Sequence, residues 1–424
     1  MTLVLSVAEW YGYTKFMSAL SHTHENTNAR MLSMDPIALD GMTGLDAVLT
    51  EDEILTRDTV RQFVTDKFLP HIADHFENHT FPENLIPEIA QLGILGASIK
   101  GYGCAGINAV TYGLILQELE YGDSGLRSFV SVQGSLAMNA IYYHGSEEQK
   151  QHWLPRMARG EAIGCFGLTE PDSGSDPGSM RTMARRDGDA YVLNGAKMWI
   201  TNSPISDLAV VWAKLEEDSP RAIRGFLVER GTPGFETPTI HKKMSLRASH
   251  TGEIVLSDCR IPADNLLPNS GGLGSPLACL NQARFGIAWG AMGAAKACFD
   301  SALAYSRERV QFGVPIASKQ LIQEQLVEMA LEISKAQIMN YHFARLKDQD
   351  RLSPFQVSMA KKNSVGQALK IARMARSIHG ATGISLEFSP IRHMLNLESV
   401  YTYEGTDEVH TLSIGRALTG ISAF

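Results

Sequence analysis

The sequence has little of what would place it in a specialised class. Its five cysteines, Cys104, Cys165, Cys259, Cys279 and Cys298, are an odd, scattered set without a C-x-x-C pair. That excludes a disulfide scaffold and a sequence-evident zinc or redox pair, and it points to a reducing compartment. No apolar run approaches the roughly 18 residues needed to cross a bilayer, so membrane insertion by a helix is not expected. Lys and Arg form no block. The 38 basic and 46 acidic residues leave a net charge of −8, without the footprint of a nucleic-acid binder. The first thirty-odd residues lack a basic n-region and an A-x-A-like site, so they fit neither a signal nor a transit peptide. We expect a disordered tail over residues 1–40, or a true start at Met31 or Met34. The default location is cytoplasmic (bacterial), with the mitochondrial matrix as the eukaryotic alternative.

What is present is ordinary globular material: 424 residues, 44% hydrophobic and 20% charged, enough for two or three domains. Three textures follow one another. Residues 41–160 read as an N-terminal α-helical domain. There Thr50-Glu-Asp-Glu53 fits a capping box, Leu55, Val60, Phe63 and Val64 recur at helical spacing, and Pro70 stops the run. Residues 161–275 carry short β-branched and aromatic runs separated by turn residues, the pattern of an antiparallel β-barrel or sandwich. Residues 276–424 return to long helices. One carries a stripe at Ile322, Leu326, Met329, Ile333 and Ala336; another is capped by Ser353-Pro354 and ends at His379-Gly380. The fold class is α+β, mainly α.

Several local patterns bear on chemistry. Gly101-Tyr-Gly103-Cys-Ala-Gly106 matches G-x-G-x-x-G, but no alternating strand–helix series follows it. We therefore read a glycine-rich loop between helices rather than a dinucleotide site. Gly122-Asp-Ser-Gly125 has the look of a protease serine but no histidine context to serve it. The loop 167–179 is dense in glycine, hydroxyls and acids. It reads either as a long turn or as a cradle bringing N–H and O–H donors to a planar polar ligand, with Trp199 and Thr201 one strand later as wall and hydroxyl. Glu404, between Tyr403 and Gly405, is either an exposed glutamate or a desolvated general base. Arg127 leads into a mostly apolar stretch, where it either snorkels or meets an anion in a dry pocket.

Beyond these readings, GLTEPDSGSDPGS, WITN, RERVQFG with Gln320, and YEGT resemble, in order, the acyl-CoA dehydrogenase family of flavoenzymes. KGYGCAG, CFGLTEPDSGSDP, SLRAS, ARFGIAWG, IRHMLNLE and GRALTGISAF most resemble its glutaryl-CoA-oxidising branch. The resemblance implies an N-terminal helical domain, a middle β-domain and a C-terminal four-helix bundle, assembled as a homotetramer. It implies non-covalent FAD, no metal, and electrons passed to electron-transfer flavoprotein. The activity implied is oxidative decarboxylation of glutaryl-CoA to crotonyl-CoA and CO2, on a lysine and tryptophan degradation route. A non-decarboxylating glutaryl enzyme, or a dehydrogenase of another short acyl chain, is the alternative.

Residue by residue, the resemblance assigns FAD contacts to Phe166, Gly167, Leu168, Thr169, Glu170, Pro171, Asp172, Ser173, Gly174 and Ser175, and to Trp199, Ile200 and Thr201. Arg309 and Gln320 would reach FAD from a neighbouring subunit, and Ser377, Ile378, His379, Gly380, Ala381, Thr406, Asp407 and Glu408 would complete its site. Leu277, Ala278, Cys279, Leu280, Asn281, Gln282, Ala283 and Arg284 would run along the CoA chain with Ser175. Arg127 would neutralise the distal carboxylate, with Ser128, Ser131, Glu120, Tyr403 and Gly405 around it. Glu404 would be the catalytic base; the position used as base in some relatives is Ala283 here. Gly380-Ala-Thr-Gly383 replaces the commoner Gly-Gly-x-Gly, which bears on FAD affinity.

Overall fold

The computed structural model describes residues 37–217 and 222–423. The expected tail therefore lies, but for its last four residues, outside the described residues. Residues 37–46 belong to a unit of their own, in which Leu39–Thr43 forms a short helix closed by Gly44 in the left-handed conformation. Everything discussed below lies in the second unit, from residue 47 onward.

The N-terminal part is helical. Helix α1 (Glu51–Phe63) begins with the expected capping box: Glu53 N donates to Thr50 Oγ1 at 3.3 Å and Thr50 N to Glu53 Oε2 at 2.9 Å. The Glu53 carboxylate does more than cap. It also accepts both guanidinium arms of Arg345, each at 2.8 Å, so the start of α1 is tied to a C-terminal helix. Leu55 departs from the expected stripe and is 67% exposed, while Val60, Phe63 and Val64 are buried. The glycine motif at 101–106 is a tight hairpin, β1 (Lys100–Gly101) with β2 (Cys104–Ala105), and Gly101, Tyr102 and Gly103 all have positive φ. It leads to α2 (Ala109–Gly122), whose N-cap is the Asn108 side chain. A phosphate-binding strand–loop–helix unit is therefore absent here.

Helix α2 is almost wholly buried and meets α3 (Ser124–Ser131) at Asp123. Asp123 Oδ1 caps α3 through Gly125 N at 2.7 Å, while Oδ2 accepts from Arg392 and Asn396. The GDSG tetrapeptide is thus a buried helix junction, its acid already neutralised, and not a nucleophile turn. Beyond α3 the chain continues as a π-helical stretch, Val132–Met138. Helix α4 (Glu147–Ala158) closes the N-terminal part.

The middle part is one seven-stranded sheet: β3 (Gly164–Gly167), β4 (Met183–Asp187), β5 (Ala190–Thr201), β6 (Leu208–Leu215), β7 (Ile223–Glu229), β8 (Phe235–Glu236) and β9 (Thr251–Pro262). Its pairings are antiparallel except for two. Strand β6 runs parallel to β3 along its first half and parallel to β4 at its end. Alternating patterns predict strands, but the direction of a neighbour is set by remote connections, so local sequence does not show these parallel joins. The β5–β9 register shifts between Lys197 and Ile200, which releases Met198 and Trp199 from the ladder.

The C-terminal part consists of α5 (Gly274–Glu308), α6 (Gln320–Asp348), α7 (Pro354–Ile378), α8 (Pro390–Thr402) and α9 (Asp407–Thr419). Ser353 caps α7 as expected, and Gly380 just beyond it takes φ 60°. The α6 stripe is buried at Met329, Ile333 and Ala336. Helix α5 lies hard against α2. A Cβ at Gly293 would overlap the Gln117 carbonyl oxygen, and one at Gly290 would overlap the Glu120 carboxylate. Only glycine allows that approach, because backbone atoms cannot move aside as a flexible side chain can.

Gly293→Ala should cost roughly 3 kcal/mol by overpacking, lowering the thermal midpoint by about 5 °C. An unchanged midpoint in a melting experiment would contradict this account of the α2–α5 contact.

Candidate active site

The fold brings two distant groups of predicted residues together, one from α2 and α3 and one from the segment between α8 and α9. On α3, Arg127, Ser128 and Ser131 share a face by their i, i+1 and i+4 spacing. Arg127 is 1% exposed. Its Nε donates to Glu120 Oε2 at 2.6 Å, and its Nη2 donates to the Tyr403 hydroxyl. The other Glu120 oxygen accepts from Ser124 Oγ at 2.8 Å. Both Glu120 oxygens thus accept within the protein, and the fully buried carboxylate sits as the support of Arg127. Among the described residues nothing accepts from Arg127 Nη1. Ser128 Oγ lies 3.5 Å from the Tyr403 hydroxyl, and Ser131 Oγ is buried without a partner.

The segment from Tyr403 to Thr406 joins α8 to α9. Glu404 takes φ 53° and Gly405 φ 93°, left-handed conformations that glycine favours and glutamate does not. Glu404 Oε2 is shielded from solvent and has no hydrogen-bond partner among the described residues. Its backbone N–H likewise has no acceptor among the described residues. Arg284 Nε donates to Glu404 O at 2.7 Å, and Lys361 Nζ donates to Tyr403 O and Gly405 O at 2.5 and 2.6 Å. Arg284 therefore supports the Glu404 backbone rather than lying free for a CoA chain.

The electrostatics follow from burial. Burial raises the Glu404 carboxyl above the ordinary range, against the downward pull of Arg127, Arg284 and Lys361. Burial pulls the Lys361 ammonium down to about 7, against the nearby Glu404. Burial pushes the Tyr403 phenol up to about 12, so it is a neutral hydroxyl at working pH. Burial opposes the charge on Arg127, but Glu120 and Tyr403 outweigh it and hold the guanidinium above its usual value. His410 beside Gly405 is brought down to about 3 by burial and stays neutral.

A second surface lies on the middle sheet. Met198 N donates to Thr169 O at 2.9 Å, which lays the loop after β3 along the end of β5. Trp199, released from the ladder, sits at φ 62° with 57% of its surface exposed. The hydroxyls of Thr169, Ser175 and Thr201 make no hydrogen bond among the described residues. An uncovered indole flanked by unpartnered hydroxyls fits a planar polar group such as a flavin.

Other predicted contacts are used internally. Glu170 is buried and spends its carboxylate on Arg181 N, Thr182 and Lys197 Nζ, while Ser173 Oγ pairs with Ser179 Oγ at 2.7 Å. Phe166, Leu168 and Ile200 are core residues. Within 277–284 only Leu277, Ala278, Asn281 and Arg284 reach the surface. Cys279, Leu280, Gln282 and Ala283 are buried, since one helix face cannot present eight consecutive residues. His379 is buried with both ring nitrogens near Ala375 O and Ser301 Oγ, stacked 4.6 Å from Tyr305; it packs the helices instead of facing a ligand. Ile378 is core beside it. Thr406 caps α9 and Asp407 pairs with Lys362. Ser377, Gly380, Ala381, Glu408, Arg309 and Gln320 are exposed.

Lys361 was not among the residues expected. The available signal was a lysine falling in register with Val357, Ser364, Val365 and Ala368 on the inward face of α7. A charge on a buried stripe asks for a partner.

A carboxyl kept basic by burial, beside an unpartnered N–H and a fixed guanidinium, is an arrangement able to take up a proton and to donate to an anion. Comparison with known proteins gives the family. The N-terminal, middle and C-terminal domain models of acyl-CoA dehydrogenases match residues 50–161, 165–259 and 270–419. A glutaryl-CoA dehydrogenase from Mycobacterium smegmatis, solved in complex with FADH2, is 53% identical; the match covers 92% of this chain and 100% of that one, with a TM-score of 0.90. Butyryl-CoA dehydrogenase from Megasphaera elsdenii is 33% identical over 87% of this chain and 98% of its own, with a TM-score of 0.84. An acyl-CoA dehydrogenase of Bacillus subtilis (strain 168) is 35% identical over 88% of this chain and 99% of its own length. The chain belongs to the acyl-CoA dehydrogenase family.

Because burial raises the Glu404 carboxyl, the ionised base should appear only above the usual carboxylate range of about 4. Activity with an acyl-CoA should therefore climb with pH along a limb above that range, and Glu404→Gln should lower it on the order of 10³-fold. Rates measured from pH 5 to 8 check this; a flat profile would contradict it.

Proposed function

We propose that this protein is a FAD-dependent dehydrogenase that oxidises glutaryl-CoA and releases CO2, giving crotonyl-CoA, with electrons passed to an electron-transfer flavoprotein. The observation that carries the substrate assignment is Arg127: buried, fixed on two sides by Glu120 and Tyr403, and with Nη1 left over. Glu120 already balances the Arg127 charge, so what the guanidinium offers a ligand is its Nη1 donor; an apolar acyl chain would gain nothing from that group, whereas a buried distal carboxylate needs such a donor.

The residues divide the work. Glu404 takes the α-proton, and its N–H donates to the thioester oxygen, where charge develops as the proton leaves. Bound FAD would supply the acceptor for the β-hydrogen, leaving as hydride, and Trp199, Thr169, Ser175 and Thr201 are the groups that would hold it. Arg127, with Ser128 and Ser131 beside it, orients the distal carboxylate. Once the new double bond conjugates that end with the thioester, loss of CO2 leaves a dienolate that the same N–H can hold. The Glu404 acid then returns a proton to carbon. Tyr403, neutral and donating toward the carboxylate end, ties Arg127 to the base by covalent adjacency. Exposed apolar side chains on the C-terminal part, Phe312 (93% exposed), Leu321, Val327 and Leu331 among them, support self-association, which this reading takes to be a homotetramer. A cytoplasmic location is part of the same reading.

Anaerobic mixing with glutaryl-CoA followed by mass analysis should give crotonyl-CoA; glutaconyl-CoA would remove the decarboxylating half of the proposal. Arg127→Met alone would leave Glu120 buried without a counter-charge, so it is best made together with Glu120→Gln. Selectivity for glutaryl-CoA over butyryl-CoA should then fall about 100-fold, and unchanged selectivity would discard the carboxylate pocket.

A further inference from the structure

The mechanism above leaves one buried cation unused. Lys361 is 1% exposed and makes no close ion pair among the described residues, with only the charge of Glu404 nearby to offset the cost of burying an ammonium. An apolar side chain would fill its place between α7 and the 403–406 segment at lower cost. What it contacts is specific: the carbonyl oxygens of Tyr403 and Gly405, one on each side of Glu404. The third carbonyl in the row, Glu404 O, is taken by Arg284. Three successive peptide oxygens are thus gripped by two side chains from two long helices.

The consequence follows from peptide geometry. In a trans peptide the C=O and the N–H point in opposite directions, and the described chain has no cis peptide. Drawing Tyr403 O onto Lys361 therefore turns the Glu404 N–H away from Lys361, and that N–H has no acceptor within the described chain. A glutamate at φ 53° persists only where its surroundings over-determine the conformation. The two cationic grips supply that determination.

We propose that Lys361 is a positioning residue of the reaction, fixing through Tyr403 O and Gly405 O the left-handed turn that presents the Glu404 carboxyl and N–H to the acyl thioester. This inference rests on the reading of Glu404 as the base. Lys361 also contributes charge. The groups that face the Glu404 carboxyl are Arg127 from α3, Arg284 from α5 and Lys361 from α7, with Tyr112 of α2 and Tyr403 as neutral phenols; His410 of α9 and Asp407 lie behind Gly405. Removing one of three cations raises the carboxyl further, so the acid limb of the rate profile moves to higher pH.

The experiment compares Lys361→Met, Lys361→Gln and Lys361→Arg as flavin-loaded holoenzymes, using whichever of glutaryl-CoA and butyryl-CoA bleaches the wild-type flavin. Lys361→Met should bleach about 100-fold more slowly, with the acid limb displaced upward and faster amide hydrogen exchange over residues 401–406. Lys361→Gln, a neutral donor, should exchange more slowly than the methionine variant yet show the same displaced limb. Lys361→Arg should return the limb and recover the rate to within about tenfold. A folded Lys361→Met with wild-type rate, limb and exchange overturns the proposal, as does a slow variant whose limb and exchange have not moved. If the methionine variant does not fold, a wild-type rate and limb in Lys361→Gln overturn it equally. Failure of the functional reading looks different: wild type that bleaches with butyryl-CoA alone, or Glu404→Gln bleaching at the normal rate.

Discussion

The ion pair between Arg127 and Glu120, 2.6 Å long and closed to solvent on both sides, is the constraint around which the site is arranged. Two charges leave water to form it, and the attraction offsets that loss more fully the more of the remaining donors and acceptors are satisfied. Glu120 is satisfied by Ser124, and Arg127 Nη2 by Tyr403. The pair needs room as well, and Gly290 on α5 provides it by leaving no atom where Glu120 lies. The close packing of α2 on α5 and the fixed position of a buried guanidinium are therefore one fact seen from two sides.

The pair acts on chemistry through Tyr403. Its hydroxyl meets Arg127, its carbonyl meets Lys361, and its neighbour is Glu404. On the proposed reading, the end of the site that would recognise an anion and the end that would move a proton are joined by a single residue. Three cations surround the Glu404 carboxyl, yet burial still holds it above the ordinary range. Desolvation outweighs the charges here because Oε2 is closed to solvent and meets no hydrogen-bond donor among the described residues. A base that is basic through lack of solvation is also one that dry substrate carbon can approach.

Much of this was legible in the sequence wherever the signal is local. The capping box at Thr50, the N-cap at Ser353, the Met329, Ile333 and Ala336 part of the α6 stripe and the three textures rest on local signals, and they stand in the structure as read; Ile322 and Leu326 of the stripe are only half-buried. What failed was non-local. Nothing near Glu120 in the chain says that Gly290 will make room for it, and nothing near Glu170 says that Lys197 will pair with it. Assigning whole segments as ligand contacts overstated them, because a helix or strand turns most of any such segment inward; Cys279, Ala283, Ile200 and His379 are the instances. Lys361 was missed for the converse reason. A charge on a buried stripe was visible, but its acceptors lie more than forty residues downstream.

The central claim is that Arg127 Nη1 waits for the far end of a dicarboxylic acyl chain. A crystal structure of the flavin-loaded protein with a glutaryl thioester that cannot be oxidised tests it most directly. The account predicts the distal carboxylate within about 3 Å of Nη1, with the thioester oxygen at the Glu404 N–H. A carboxylate directed elsewhere, with Nη1 still without a partner, would contradict it.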